Sequence, residues 1–190
     1  DLSTTPPWQG GAGGDLHWQI YDLEGQPVIS QLRTEVLTTN LLFTAADIPS
    51  VGYRLFWLCP QKNAQSSQTT KIISENNTSS DKDWILENEF LRIIVNPETG
   101  NLSSVYDKIN QREILKSTKG NQLQAFKDSG QYWDAWNIDP NYSQHPLPPT
   151  NLKSINWIEQ GSVQQRLRVI RQLGESEFCQ DYILPANSSV

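Results

Sequence analysis

Ser162–Gly174, SVQQRLRVIRQLG, is the stretch on which the fold class turns, because it is the one serious helix candidate in the chain. Val163, Leu167 and Ile170 fit a helical stripe. The same residues also fit a strand, with Leu167, Val169 and Arg171 on one face and Arg168, Ile170 and Gln172 on the other. The neighbours decide between the two. Lys153–Gln160 and Glu177–Leu184 alternate in the manner of strands, so Ser162–Leu173 is read as a strand between two others.

The same pattern extends upstream. LHWQIYD sets Leu16, Trp18 and Ile20 against His17, Gln19 and Tyr21, as a half-buried strand requires. LEGQP follows as a turn, with Gly25 at the position tolerant of positive φ. VISQLRTEVL and NLLFTAA come next, then GYRLFWLC, whose two largely apolar faces predict a central strand. WILEN leads into EFLRIIV, and NPETGN forms a turn with Pro97 pre-set in φ and Gly100 in the left-handed region. LSSVYDK and INQREIL continue the meander, and a strand is expected at Gln122–Lys127. The expected fold is an all-β, antiparallel β-sandwich with a small preceding β module.

A composition shift marks the organisation. Residues 61–83 are rich in Ser, Thr, Asn and Gln and read as a linker or long loop, with at most a short strand at Lys71–Ser74. The expected domains are 1–60, a small β module, and 84–190, a sandwich incomplete at its C-terminus. Overlapping N-x-S/T triplets at Asn76 and Asn77 are common by chance in such a loop. No methionine occurs, even at position 1, and the chain opens on the Gly-rich STTPPWQGGAGGD, so it is expected to be part of something longer.

Composition narrows the function. The chain has 190 residues, net charge −6 and no basic run, which argues against nucleic acid and a polybasic membrane patch. Its longest apolar runs, such as LFWLC, are too short to span a bilayer. Two cysteines, Cys59 and Cys179, lie far apart with no C-x-x-C and read as buried thiols of a reducing, cytoplasmic setting. The two histidines, His17 and His145, do not make a zinc or Ser-His-Asp site from this chain, so no metal is expected in it. Both read as surface residues. Arg166, Arg168 and Arg171 read as solvated surface.

The richest chemistry lies in YWDAWNIDPNY, Tyr132–Tyr142. Aromatic rings beside carboxylates and amides suit a sugar site, and equally a packed sheet corner. As a strand, the segment sends Asp134 and Asp139 to opposite faces. A retaining glycosidase needs its carboxyl groups roughly 5–5.5 Å apart and an inverting one roughly 6.5–9.5 Å, so the segment does not supply a catalytic pair.

NQLQAFKDSGQYWDAWNIDPNY, Asn121–Tyr142, resembles the segment that glycoside hydrolase family 38 α-mannosidases carry after their catalytic domain, most of all in the cytosolic/vacuolar and bacterial branch. The likeness rests on Asn121, Leu123, Phe126, Asp128, Trp133, Asp134, Ala135, Trp136, Ile138 and Asp139. It departs at Asn137, where the family often has Asp. Leu86, Asn88, Gly100, Leu102, Ser104, Asp107, Arg112 and Glu113 are similar to the family's preceding segment, and Asp47, Pro49 and Gly52 to a link before it. The resemblance implies a galactose-mutarotase-like sandwich from the early part of the C-terminal β region. It implies a retaining, zinc-dependent parent enzyme whose nucleophile and zinc ligands lie in other domains, so no catalytic residue is expected here. The implied partners are the catalytic and helical domains of the same parent chain and an α-mannoside substrate. Tyr132, Asp134, Trp136 and Asp139 are the substrate-rim candidates, while Trp133 and Trp136 are also expected to anchor the sheet. Two functions stand side by side: a non-catalytic fragment of an α-mannosidase, or an independent lectin-like sandwich. A stand-alone hydrolase is a third.

Overall fold

The structure is a computed structural model, and it describes residues 17–34, 38–61, 84–116, 119–129 and 136–188. The chain divides into two compact units, Asp1–Thr69 and Thr70–Val190.

In the first unit, β1 (His17–Tyr21) pairs with β2 (Pro27–Val28) and with β5 (Trp57–Gln61), all antiparallel, in the order β2-β1-β5. The β1–β2 turn carries Gly25 at φ 74, and the Asp22 carboxylate accepts from the Gln26 N–H at 2.7 Å. β3 (Ser30–Thr34) and β4 (Thr39–Phe43) form a separate hairpin. The expectation of a central strand at GYRLFWLC is corrected. Only Trp57–Gln61 is strand, and among the described strands it lies at the sheet edge. Apolar residues on both faces do not demand a central place, since Trp57 and Leu58 both stay more than half exposed. Upstream of them, Asp47 and Val51 adopt positive φ and break the run.

The second unit is a sandwich of two antiparallel meanders. One sheet holds β6 (Trp84–Glu87), β7 (Leu91–Val95), β8 (Leu102–Asp107) and β9 (Arg112–Glu113) in that order. The other holds β10 (Asn151–Gln160), β11 (Gln164–Leu173) and β12 (Ser176–Pro185). SVQQRLRVIRQLG is therefore a strand, flanked on both sides. Its period-2 pattern turns Leu167 and Val169 inward, where they meet Leu86 and Val95 of the first sheet and Ile155 and Leu184 of their own. Trp84 and Trp157 pack at 6.4 Å between ring centres along this core.

Side chains tie the sheets together. Gln165 imitates a ladder partner: its Oε1 accepts from the Glu87 N–H at 2.9 Å, and its Nε2 donates to the Glu87 carbonyl at 3.1 Å. Asn88 accepts from the Phe90 and Leu91 N–H groups and donates to the Pro185 and Ser188 carbonyls. Such saturation is what a polar residue at a sheet junction needs.

Two further expectations are corrected. Gln122–Lys127 is not a strand. Among the described residues it makes a single bridge, Phe126 to Pro146, and the next position of the opposite segment to face it is Pro149, which has no N–H to give. The described part of Tyr132–Tyr142 is turn, followed by a short 3-10 turn at Tyr142–Gln144. Arg171 is fully buried rather than solvated, following its strand face into the core. Arg166 and Arg168 on the opposite face are engaged across the sheet with Asp181. The expected short strand at Lys71–Ser74 lies outside the described residues.

Candidate functional site

The candidate residues sit on the long connection between β9 and β10. Its start is fastened to β8 by a reciprocal pair: the Leu102 N–H donates to the Gly120 carbonyl at 2.9 Å, and the Gly120 N–H to the Leu102 carbonyl at 2.8 Å. Asn121 (φ 52) then donates through Nδ2 to the Tyr182 hydroxyl at 3.1 Å, and that hydroxyl donates to the Gly100 carbonyl at 2.9 Å. Arg171 holds the same Gly100 turn from beneath. Its Nε donates to the Thr99 carbonyl at 3.2 Å and its Nη2 to Asn101 Oδ1 at 3.0 Å.

Further along, the connection is clasped on itself. Asp128 Oδ1 accepts from the Asp139 N–H at 3.0 Å, and Asp139 Oδ1 accepts from the Asn141 N–H at 2.9 Å. The Tyr142 N–H donates to the Asp139 carbonyl, closing a turn with Pro140 at its second position. Phe126 meets Tyr142 edge to face at 5.2 Å. Lys127 N–H to the His145 carbonyl and Leu147 N–H to the Ala125 carbonyl complete the clasp. Asp128, Asp139, Phe126 and Asn121 are thus explained as the residues that shape the loop.

Of the four rim candidates, Tyr132 and Asp134 lie outside the described residues, as does Trp133. Trp136 is 88 % exposed, so its expected role as a sheet anchor is corrected: the ring stands in solvent. Ile138, 63 % exposed, stands out beside it in sequence. Asp139 is half-buried, with one oxygen spent on the turn. His145 is exposed and gives its carbonyl to the clasp.

The titratable groups with shifted pKa values are structural. Asp181 is held below the usual carboxylate range, chiefly by the bond from Arg168, against a burial effect that raises it, with Arg166 adding to the depression. Arg168 is pushed up in return by Asp181. Burial raises Glu113, but bonds from the Ser104 hydroxyl and the Leu115 and Val105 N–H groups outweigh it, and the net shift is downward. Asp107 is lowered by the Asn110 backbone N–H and side chain. Among the described residues, no group of three or more His, Cys, Asp and Glu side chains could hold a metal ion.

Sequence reasoning missed Tyr182 and Arg171, the two residues that seat the base of the connection. The signal for Arg171 was available, since the strand register already put it on the face of Leu167 and Val169.

Residues 86–190 match the model of the C-terminal domain of glycosyl hydrolases family 38. This chain belongs to that family, and the matched part is its C-terminal domain. It is also 31 % identical over 87 residues to alpha-mannosidase G of Dictyostelium discoideum. That match covers 45 % of this chain but only 8 % of the relative. No helix among the described residues is long and apolar enough to cross a membrane.

Proposed function

We propose that this chain is the β-sandwich part of a cytoplasmic α-mannosidase that removes terminal α-D-mannose residues, without catalytic power of its own. In this reading a small β module (1–60) is joined through 61–83 to the sandwich (84–190). The nucleophile and the zinc belong to catalytic and helical domains of the same parent polypeptide, and the loop at 132–139 supports or rims their active site. The observation that carries the proposal is the exposed Trp136 on a loop shaped by its own hydrogen bonds. A large ring kept in water on such a loop suits a surface that a sugar or a neighbouring domain covers. Cys59 is half-buried and Cys179 exposed, rather than both buried as expected, and as free thiols they suit a reducing compartment.

The test is Trp136→Ala in the parent enzyme. Because the ring is exposed, the substitution should change unfolding free energy by less than about 0.5 kcal/mol. Turnover of an aryl α-mannoside should nevertheless fall by about 10-fold or more, matching about 1.4 kcal/mol of lost interaction. Wild-type turnover would sink the rim role. The 190-residue chain supplied with zinc should give no turnover, and robust hydrolysis would overturn the non-catalytic reading. The alternative, an independent lectin-like module, draws on the same exposed ring. It predicts a saturable shift of the Trp136 indole N–H when mannose is titrated into the chain alone.

A further inference from the structure

Gln122–Phe126 has the sequence of a strand and the burial of one. Leu123 and Ala125 are half-buried while Gln122 and Gln124 are exposed, yet among the described residues the only strand-type contact here is the Phe126–Pro146 bridge. That bridge uses the Ala125 carbonyl and the Lys127 N–H. Alternation in an antiparallel pair therefore turns the N–H and C=O groups of Gln124 and Phe126 to the opposite edge. Among the described residues, the backbone groups of Gln122, Gln124 and Phe126 have no hydrogen-bond partner. The same segment lines a groove of about 470 Å³, completed by 146–150 and by Asn96, Thr99, Asn101 and Lys119. The turn on that wall is held rigid by the buried Arg171 through Thr99 and Asn101. In a chain of net charge −6, no described residue of the groove is acidic, and Lys119 is basic.

Open backbone edges are completed by strand addition. We propose that Gln122–Phe126 receives an extended strand from elsewhere in the parent polypeptide. The added strand has apolar residues at alternate positions, to continue the face of Leu123 and Ala125, and a carboxylate within reach of Lys119. The inference rests on the proposed reading in taking that strand from a longer parent. In alpha-mannosidase G of Dictyostelium the matched region is only 8 % of the length, so chain enough exists in that relative to supply one.

Amide exchange on the 190-residue chain and on the parent polypeptide tests it. The Gln122, Gln124 and Phe126 amides should exchange freely in the former and about 100-fold more slowly in the latter. Protection in both, or in neither, overturns the proposal. Protection of the 190-residue chain by saturating mannose overturns it in favour of a sugar groove. Gln124→Pro supplies a second reading, since it removes one of the open donors. It should lower the unfolding midpoint of the parent and leave that of the 190-residue chain where it was. An equal effect on both, including none, overturns the proposal. Mannosidase activity enters neither readout, so failure here leaves the rim reading untouched.

Discussion

Gly100 and Gly25 adopt nearly the same backbone, at φ 70 and 74, but stand in different surroundings. A Cβ on Gly25 meets open space, whereas one on Gly100 would lie 2.4 Å from Val169 Cγ1. Gly25→Ala should therefore cost only the left-handed penalty, about 1 kcal/mol. Gly100→Ala adds overpacking against β11 and should cost about 3 kcal/mol in urea unfolding. Arg171 beside it is a buried guanidinium whose described hydrogen-bond partners are neutral, a carbonyl and an amide oxygen, while its Nη1 has none. Arg171→Ala removes both bonds and much volume, and should destabilise by about 3 kcal/mol. Arg171→Met restores volume only, so a partial recovery in the same melts would separate packing from hydrogen bonding. From the sequence, the left-handed turn at Gly100 was legible because Gly after Pro-Glu-Thr has few other uses. The burial of Arg171 was legible in register but was set aside on charge, since a lone arginine is rarely fully buried.

At the scale of elements, the β10–β11–β12 meander was readable because period-2 burial runs through β10 and β11, each ten residues long. The connection from 119 to 150 was not. Its local pattern suggested a strand at Gln122–Lys127, but proline on one side and carboxylates that capture nearby N–H groups on the other leave turns instead. Asp128 is the closing residue of that arrangement. Asp128→Ala should speed exchange of the Asp139 amide by about 5- to 10-fold, the worth of one exposed hydrogen bond. The core melting temperature should hardly move, because Asp128 is exposed on the connection. A large loss of global stability would mean that the connection is part of the core.

At the scale of the molecule, the second unit holds the main apolar core, whereas Ile20 is the one fully buried apolar side chain among the described residues of the first. Across β11 and β12, Asp181 is bonded by both Arg166 and Arg168. Its folded pKa lies below the unfolded value of about 3.9. Its contribution to stability is thus complete above the unfolded pKa and is lost as pH falls through the lowered folded one. Urea midpoints measured from neutral pH down to acid should therefore fall steeply at the acid end. Asp181→Asn should flatten that fall and lower the plateau, and an unchanged acid limb would show that the carboxylate contributes nothing.

What the sequence by itself determined is the all-β class, the strand faces and the family, because each rests on period-2 burial, turn chemistry or a local motif. Only the tertiary structure decided which carboxylates shape the loop, that Trp136 faces water and that Arg171 lies beneath the Gly100 turn. It also decided that Gln122–Phe126 forms a bridge to Pro146 rather than a strand. Those outcomes depend on partners far apart in sequence, such as Thr99 with Arg171 and Gly100 with Tyr182, and no local pattern encodes a contact across 72 or 82 residues.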